Sequence, residues 1–370
     1  MREHVLLPMF IVIAICLFLS IAFLTLIERK VMAAIQIRRG PNVTGYGILQ
    51  PLADGFKLFL KELIIPSRGN VFLFLTSPLI FLALSLSVWI VIPVGNTYIT
   101  NTNLGLLIFL AISSLASYGF LIGGWASNSR YSFLGCIRGA SQLLSYELIL
   151  SLLILSIVIC GQTFNFFELI LAQKHIWFIF PLFPIFLFLI VAVLAEANRP
   201  PFDLPEAESE LVSGYNTEYS SSPFAFYFIG EYGTLITWSH VIPILFLGGI
   251  SPIYPFYFLP GILNIMIKAS IILFAFCWIR ASMPRYRWDQ LMYLCWRVLL
   301  PISLSCVFFL IAFVIFNTFD FFSWKTPELL DLVGLFKVMF HDAYLHILEH
   351  GTDDNDNIDS DIALLFKNRK

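Results

Sequence analysis

The chain has 370 residues, of which 59% are hydrophobic and only 12% are charged. A soluble domain of this length carries far more charge, so the composition excludes one and indicates a membrane protein. The formal net charge of −2 at pH 7 gives no reason to expect a nucleic-acid partner.

The sequence also lacks the usual signatures of cofactor sites. Its six cysteines lie mostly inside apolar runs and form no C-x-x-C pair, which is typical of small buried side chains. No Gly-rich phosphate loop and no G-x-G-x-x-G motif is present. His346 and His350 match an H-x-x-E-H pattern, but no third ligand with its own context accompanies them. We therefore expect no nucleotide, flavin, iron–sulfur or metal site in this chain.

Long apolar segments dominate the chain, and about 20 residues suffice for a helix to cross a bilayer. The first segment is too long for a signal-peptide core, lacks a small-residue cleavage site and continues into Glu28, Arg29 and Lys30. We predict an all-α polytopic membrane protein with eight transmembrane helices. Their predicted positions are residues 5–27, 71–92, 104–125, 142–160, 176–195, 223–247, 259–279 and 291–316.

Charges in the loops predict the orientation. Loops after the odd-numbered spans carry fourteen Lys and Arg residues, against seven on the other side. Because basic loops stay inside, the richer side is predicted to be the cytoplasm or the mitochondrial matrix. In the first inside loop, Gln50, Asp54, Lys57 and Lys61 share one helical face opposite apolar side chains. This pattern predicts an amphipathic helix in the membrane interface within residues 47–64, although a plain surface anchor would show the same pattern.

The loop over residues 196–222 is the most acidic part of the membrane region, with six acids against the single base Arg199. Pro200 and Pro201 remove backbone donors and clash with the preceding turn, so the fifth predicted helix must end before them. Pro205 followed by acids predicts a new helix start. These acids would also suit a short surface helix without further function. Their position on the basic side of the membrane favours a functional role instead.

Ionisable residues inside the spans are informative because a charge near the bilayer centre costs roughly 2.5–3.5 kcal/mol or more. Glu147, Glu196 and Glu231 lie toward the inner side, and Lys268 lies in the seventh predicted span. One such carboxyl alone can be a protonated, hydrogen-bonded group between helices. Several carboxyls close together cannot all ionise, which is the behaviour that a proton path needs.

The chain changes character after the eighth predicted span. Thr326, Pro327 and Glu328 predict a helix start, an apolar face continues to about His350, and an acidic tail follows. We therefore divide the chain into a membrane domain, residues 1–318, and a C-terminal extension, residues 319–370. The extension is expected to pack on a neighbouring subunit at the outer membrane face.

Several local motifs resemble one family, that of NADH dehydrogenase subunit 1, the quinone-site membrane subunit of respiratory complex I. The resemblance runs in order from about residue 5 to 316, and the extension departs from it. The motifs are IERK (27–30), RRGPN (38–42), QPLAD (50–54), GWASNS (124–129), SYE (145–147), EANRPPFDL (196–204), EAESELVSG (206–214) and PRYRWDQ (284–290).

The resemblance implies specific roles for residues at matching positions. It implies that the quinone tunnel is lined by Arg38, Asp203, Phe228, Tyr232 and Arg280. It implies that the proton path is formed by Glu147, Glu196, Glu206, Glu208, Glu210 and Glu231, with Asp203 and the three loop acids linking tunnel to path.

The resemblance also implies partners and a location. Ubiquinone would be the substrate with no covalently bound cofactor, and FMN and iron–sulfur clusters would belong to partner subunits. The partners would be the peripheral-arm quinone-site subunits and the neighbouring membrane-arm subunits, within the lipid bilayer of the mitochondrial inner membrane. Two alternatives stay open: the membrane anchor of a related hydrogenase, and a secondary transporter, for which no inverted repeat is apparent.

Overall fold

The computed structural model describes residues 3–95, 99–174, 176–205, 212–252 and 260–318. Helices make up most of these residues, and no β-strand occurs among them. The prediction of an all-α polytopic membrane protein is confirmed. Glu206, Glu208 and Glu210, as well as the whole C-terminal extension, lie outside the described residues. The predicted helix start after Pro205 and the division into two domains therefore stay predictions.

Eleven α-helices follow one another within the described ranges. Their bounds are α1 Glu3–Ile35, α2 Gln50–Leu60, α3 Val71–Ser87, α4 Gly105–Ala126, α5 Arg130–Gly161, α6 Phe166–Ala172, α7 Phe183–Glu196, α8 Ser221–Phe246, α9 Gly261–Ser282, α10 Trp288–Tyr293 and α11 Leu300–Thr318. A π-helical turn, Leu294–Leu299, joins α10 to α11 without a break.

Six of the helical stretches in the described part of the chain are long and apolar enough to cross a membrane. They correspond to the first four, the seventh and the eighth predicted spans. The fifth predicted span is represented by α7, which has only 14 residues. The sixth is represented by α8, which has 26 residues but includes Glu231 and several hydroxyl side chains. The count of eight spans stays a prediction.

Side-chain caps determine where several helices begin. Asn70 accepts a hydrogen bond from the Leu73 amide at the start of α3, at 3.4 Å. Ser129 does the same for the Ser132 amide at the start of α5, at 3.2 Å. Each cap satisfies one of the amides that a first helical turn leaves unbonded. The Ser129 cap starts α5 twelve residues before the predicted fourth span. The polar first turns of the helix therefore lead without a break into its apolar part.

The core lies where α5, α7 and α8 pack together, and α3 and α4 close one side. Phe81 on α3 fits between two glycines of neighbouring helices. A Cβ at Gly119 of α4 would lie 2.9 Å from the Phe81 Cβ, and one at Gly230 of α8 would lie 2.5 Å from its Cδ1. These positions require glycine because any larger side chain would separate the helices.

The first of the predicted inside loops contains the predicted amphipathic helix as α2. None of its residues is buried, and its exposed apolar side chains include Leu52, Phe56 and Phe59. On the polar face, Asp54 accepts hydrogen bonds from Arg29 of α1 at 2.6 Å and from Gln50 at 3.0 Å. These contacts join α2 to the carboxyl-terminal part of α1. Its position in the membrane interface stays a prediction.

Two buried side chains bind the carbonyl groups at the carboxyl end of α8. The Lys268 ammonium of α9 donates to three backbone carbonyls, those of Leu247, Gly249 and Ser251, at 2.6, 2.9 and 2.8 Å. Gln173 donates to the carbonyls of Ile244 and Leu245 at 2.9 and 3.1 Å. The buried ammonium is tolerated because three carbonyl oxygens of the segment directly after α8 replace its hydration. This end of α8 is firmly attached to its neighbours.

Candidate functional site

The site is organised by the helix break after α7, where the sequence predicts it. The Ala197 amide still bonds the Val193 carbonyl, at 2.8 Å. Asn198 then adopts the left-handed backbone conformation, with φ of 49°. Buried Gln142 of α5 closes the turn, because its Nε2 donates to the Ala195 and Phe202 carbonyls, both at 2.8 Å. The break thereby places Glu196 and Arg199 on different sides of one tight turn.

The inner charge cluster consists of Glu28, Arg199, Tyr232 and Arg280. Tyr232 of α8 donates its phenolic hydrogen to Glu28 Oε2 of α1, at 2.6 Å. Arg280 of α9 forms an ion pair with Glu28 Oε1. The Arg199 guanidinium stacks 3.8 Å from the centroid of the Tyr232 ring. Glu28, Arg199 and Tyr232 are all buried, and a carboxylate held in this way is compensated by charge-assisted hydrogen bonds.

The cluster contains two of the five residues predicted to bind quinone and touches a third. Tyr232 and Arg280 belong to it, and the Phe228 ring lies 4.6 Å from the Tyr232 ring. Arg38 follows the end of α1 and is exposed. Glu28 was not predicted as a site residue. Its only sequence signal is an acid at the inner end of a span, in the motif that begins at Ile27.

Asp203 forms an ion pair with the loop before α10. Its Oδ2 forms an ion pair with Arg285 at 3.1 Å. The Tyr286 amide next to Arg285 donates to the Pro201 carbonyl at 3.0 Å. The loop before α10 is therefore joined to the loop after α7. A role of Asp203 in quinone binding stays a prediction.

A second polar feature, the carboxylate cavity, lies between α3, α4, α7 and α8. It measures about 30 Å³, and its walls include Glu196, Asn198 and Glu231. This space would accommodate about two water molecules. Glu196 Oε2 and Asn198 Oδ1 are buried and have no hydrogen-bond partner among the described residues. The hydroxyl groups in its walls belong to Ser85, Ser113, Ser117, Thr234 and Thr237.

The third predicted carboxyl of the membrane region is close to this cavity. Glu147 of α5 is half-buried and interacts electrostatically with Glu196. The structure thus brings Glu147, Glu196 and Glu231 into one neighbourhood, whereas Glu206, Glu208 and Glu210 fall outside the described part. Charge on one of these carboxyls changes the cost of charge on the next, because a low-dielectric interior screens such interactions weakly.

The inner charge cluster and the carboxylate cavity are back to back. Glu231 and Tyr232 are consecutive on α8, and the first lines the cavity while the second bonds Glu28. Glu196 and Arg199 flank the break in the same way. Two short covalent connections therefore join the two features.

The family model of NADH dehydrogenase matches residues 8–311. The chain belongs to the NADH dehydrogenase family. This membership confirms the resemblance inferred from the motifs and the prediction of an oxidoreductase subunit.

Curated relatives agree with the family match. The NADH-ubiquinone oxidoreductase chain 1 of Chondrus crispus is 50% identical over 305 residues, which cover 80% of this chain and 93% of that relative. An NADH-quinone oxidoreductase subunit of Rhodospirillum rubrum is 50% identical over 307 residues, 81% of this chain and 90% of the relative. The NADH-ubiquinone oxidoreductase chain 1 of Arabidopsis thaliana is 50% identical over 296 residues, 79% and 91%.

The described residues show no other candidate centre in this member of the NADH dehydrogenase family. No group of three or more His, Cys, Asp or Glu side chains among them is arranged to hold a metal ion. The six cysteines, all within the described ranges, are free thiols. The Glu168 carboxyl on α6 is exposed and is not among the residues that line the carboxylate cavity.

Proposed function

We propose that this chain is the core membrane subunit of a proton-pumping NADH:quinone oxidoreductase, where it lines the quinone site and begins the proton path. The observation that carries the proposal is the back-to-back arrangement of the inner charge cluster and the carboxylate cavity. The names of the relatives, which describe NADH-ubiquinone and NADH-quinone oxidoreductases, support the same activity.

On the quinone side, Arg280, Tyr232 and Phe228 provide suitable chemistry. Reduction of a quinone to a quinol takes up two electrons and two protons and passes through states with more negative charge on the ring oxygens. Guanidinium and phenol donors stabilise such charge where water is scarce. An aromatic side chain beside them suits the flat ring. The electrons would come from partner subunits that carry FMN and iron–sulfur clusters.

On the proton side, the proposal depends on coupling between charges. Glu196 and Glu231 line one cavity, and Glu147 interacts with Glu196. Negative charge that develops on the quinone side would act on Arg199 and Tyr232, each of which is connected to a cavity residue. Carboxyls in a shared low-dielectric site respond to such charge by binding or releasing protons. The loop acids Glu206, Glu208 and Glu210 would connect the two sides.

The proposal includes a location and partners. The chain would be a multi-pass protein of the mitochondrial inner membrane, with the acidic loop on the matrix side. Peripheral-arm subunits would bind at that face, and other membrane-arm subunits would bind laterally in the bilayer.

The test is the substitution of each cavity carboxyl, Glu196→Gln and Glu231→Gln, in the assembled enzyme. NADH:quinone turnover and proton pumping should fall, whereas NADH oxidation by a hydrophilic acceptor should persist, because that acceptor takes electrons before the quinone. Glu168→Gln is a control, since Glu168 is an exposed carboxyl of the same chain that lies outside the cavity. Unchanged quinone turnover and pumping in both cavity variants would contradict the proposal, as would an equal loss in Glu168→Gln.

A further inference from the structure

Tyr215 is a buried tyrosine next to the carboxylate cavity. It lies in the short 3-10 turn Gly214–Asn216 before α8, and its side chain has no exposed surface. Its phenolic O–H donates to Oε1 of Glu231 in the cavity. Tyrosine presents this donor on a rigid ring with two side-chain torsions, so the hydroxyl position follows the backbone closely.

The backbone of Tyr215 is itself held against the inner end of α5. Ser132 donates its hydroxyl hydrogen to the Tyr215 carbonyl, at 3.1 Å. A Cβ at Gly135 would lie only 2.7 Å from the Tyr215 nitrogen, so the turn and α5 are in close backbone contact. The ring packs edge-on against Phe120 and Tyr227, with centroids 4.8 and 5.2 Å apart. The hydroxyl group therefore points at Glu231 from a fixed position.

We infer that Tyr215 is a positioning residue for Glu231, an inference that rests on the proposed function of the cavity. The hydrogen bond fixes one carboxyl oxygen of Glu231, and Glu231 lines the cavity. Tyr215 also follows the acidic segment 206–211 by four residues. The sequence that carries Glu206, Glu208 and Glu210 is therefore followed, within a few residues, by a tyrosine bonded to a cavity carboxyl.

The same aromatic cluster provides a matched control. Tyr227 is equally buried and packs against the same Phe120 ring, with centroids 5.9 Å apart. Its hydroxyl donates to the Gly119 backbone carbonyl at 3.0 Å rather than to a carboxyl. Tyr227→Phe and Tyr215→Phe remove the same atom from the same environment. Only the second removes a hydrogen bond to Glu231.

The experiment compares four variants in the assembled enzyme: Tyr215→Phe, Tyr227→Phe, Glu231→Gln, and Tyr215→Phe combined with Glu231→Gln. Tyr215→Phe should lower the kcat of NADH:quinone turnover about tenfold, the size expected for a lost hydrogen bond to a charged group. The quinone KM should not change, because Tyr215 lies on the cavity side. Tyr227→Phe should leave kcat unchanged. The combined variant should be no slower than Glu231→Gln alone, since both changes disrupt the same hydrogen bond, that between Tyr215 and Glu231.

The outcomes distinguish a failure of this inference from a failure of the proposed function on which it rests. Normal turnover and pumping in Glu231→Gln would contradict the proposed role of Glu231 itself. A slow Glu231→Gln enzyme with normal Tyr215→Phe turnover would overturn the positioning role alone. Equal losses in the two tyrosine variants, or additive losses in the combined variant, would also overturn it.

A spectroscopic measurement tests the inference even if Tyr215→Phe does not assemble. Redox-induced infrared difference spectra of enzyme with ring-deuterated tyrosine would report the phenol group in the unmodified site. Glu231→Gln should shift one tyrosine C–O band, because the acceptor of its hydrogen bond changes. Identical tyrosine bands in both enzymes would overturn the inference.

Discussion

Removal of Arg280 tests the inner charge cluster most directly. Arg280→Met keeps much of the side-chain volume but removes the ion pair with Glu28. Loss of one partner of a buried pair costs about 3–5 kcal/mol. The cost should be smaller here, because the Arg280 side chain is 29% exposed and Glu28 keeps its hydrogen bond from Tyr232. We expect about 1.5–3 kcal/mol, the range for a hydrogen bond to a charged group.

Arg280 is also a predicted quinone donor, and loss of a charge-assisted hydrogen bond of that size to the quinone corresponds to an apparent KM raised roughly tenfold to a hundredfold. The assay is NADH:quinone turnover over a range of quinone concentrations, together with sensitivity to a quinone-site inhibitor. Arg287→Met is the control, since Arg287 pairs with Asp289 while their side chains are 75% and 65% exposed. Such an exposed pair contributes about 0–1 kcal/mol, so the KM should change less than about fivefold.

A double variant separates the uncompensated charge from the lost donor. Glu28→Gln combined with Arg280→Met should recover part of the affinity, because the carboxylate left unpaired by the single change is gone. The reasoning would be refuted by an unchanged KM and unchanged inhibitor sensitivity in assembled Arg280→Met enzyme. It would also fail if Arg287→Met had the same effect.

Three further predictions address other parts of the chain. Replacement of Glu206, Glu208 and Glu210 by Gln should slow quinone turnover and pumping but spare NADH oxidation by a hydrophilic acceptor; loss of both activities in assembled enzyme would argue against a coupling role. Gly123→Ala should lower the free energy of unfolding by about 1–3 kcal/mol, because the new Cβ would lie 2.1 Å from the Tyr227 hydroxyl oxygen. Gly55→Ala is the control and should have no such effect, since the space around its Cβ is open. Equal melting temperatures of the two variants would contradict this. Truncation after residue 324 should weaken assembly without altering the quinone KM, and normal assembly with an altered KM would refute the assignment of the extension.

Local features of the fold were predictable from the sequence where a short motif permits only one backbone structure. The end of α7 at Glu196 was predictable because Pro200 and Pro201 cannot continue a helix. The start of α5 lies twelve residues before the predicted span and is not indicated by the apolar run alone. Arg130 and Arg138 lower the hydropathy of its first turns, yet the Ser129 cap and the packing of Ser132 and Gly135 extend the helix through them.

Contacts between residues far apart in the chain were harder to predict from the sequence. Glu28 and Arg280 are 252 positions apart, and neither residue type nor spacing indicates that they form a pair. The bond from Tyr215 to Glu231 spans only 16 positions, but it depends on how a loop turns back onto α8. The three intramembrane glutamates were identifiable because buried charge is costly wherever it occurs. That Glu196 and Glu231 line one cavity, with Glu147 near it, could be seen only from the positions of the helices.

The attachment of α8 at its carboxyl end constrains how the helix can move. Lys268 and Gln173 hold five backbone carbonyls there, so sliding along the helix axis would break several hydrogen bonds at once. Tyr232 and Glu231 lie nearer the other end, where α8 contributes to the inner charge cluster and to the carboxylate cavity. A displacement at that end would therefore occur as a tilt about a fixed pivot near Leu247, with an amplitude that grows along the helix. Pro243, inside α8 and close to the pivot, is a natural place for such a tilt to begin, because its ring prevents one helical hydrogen bond.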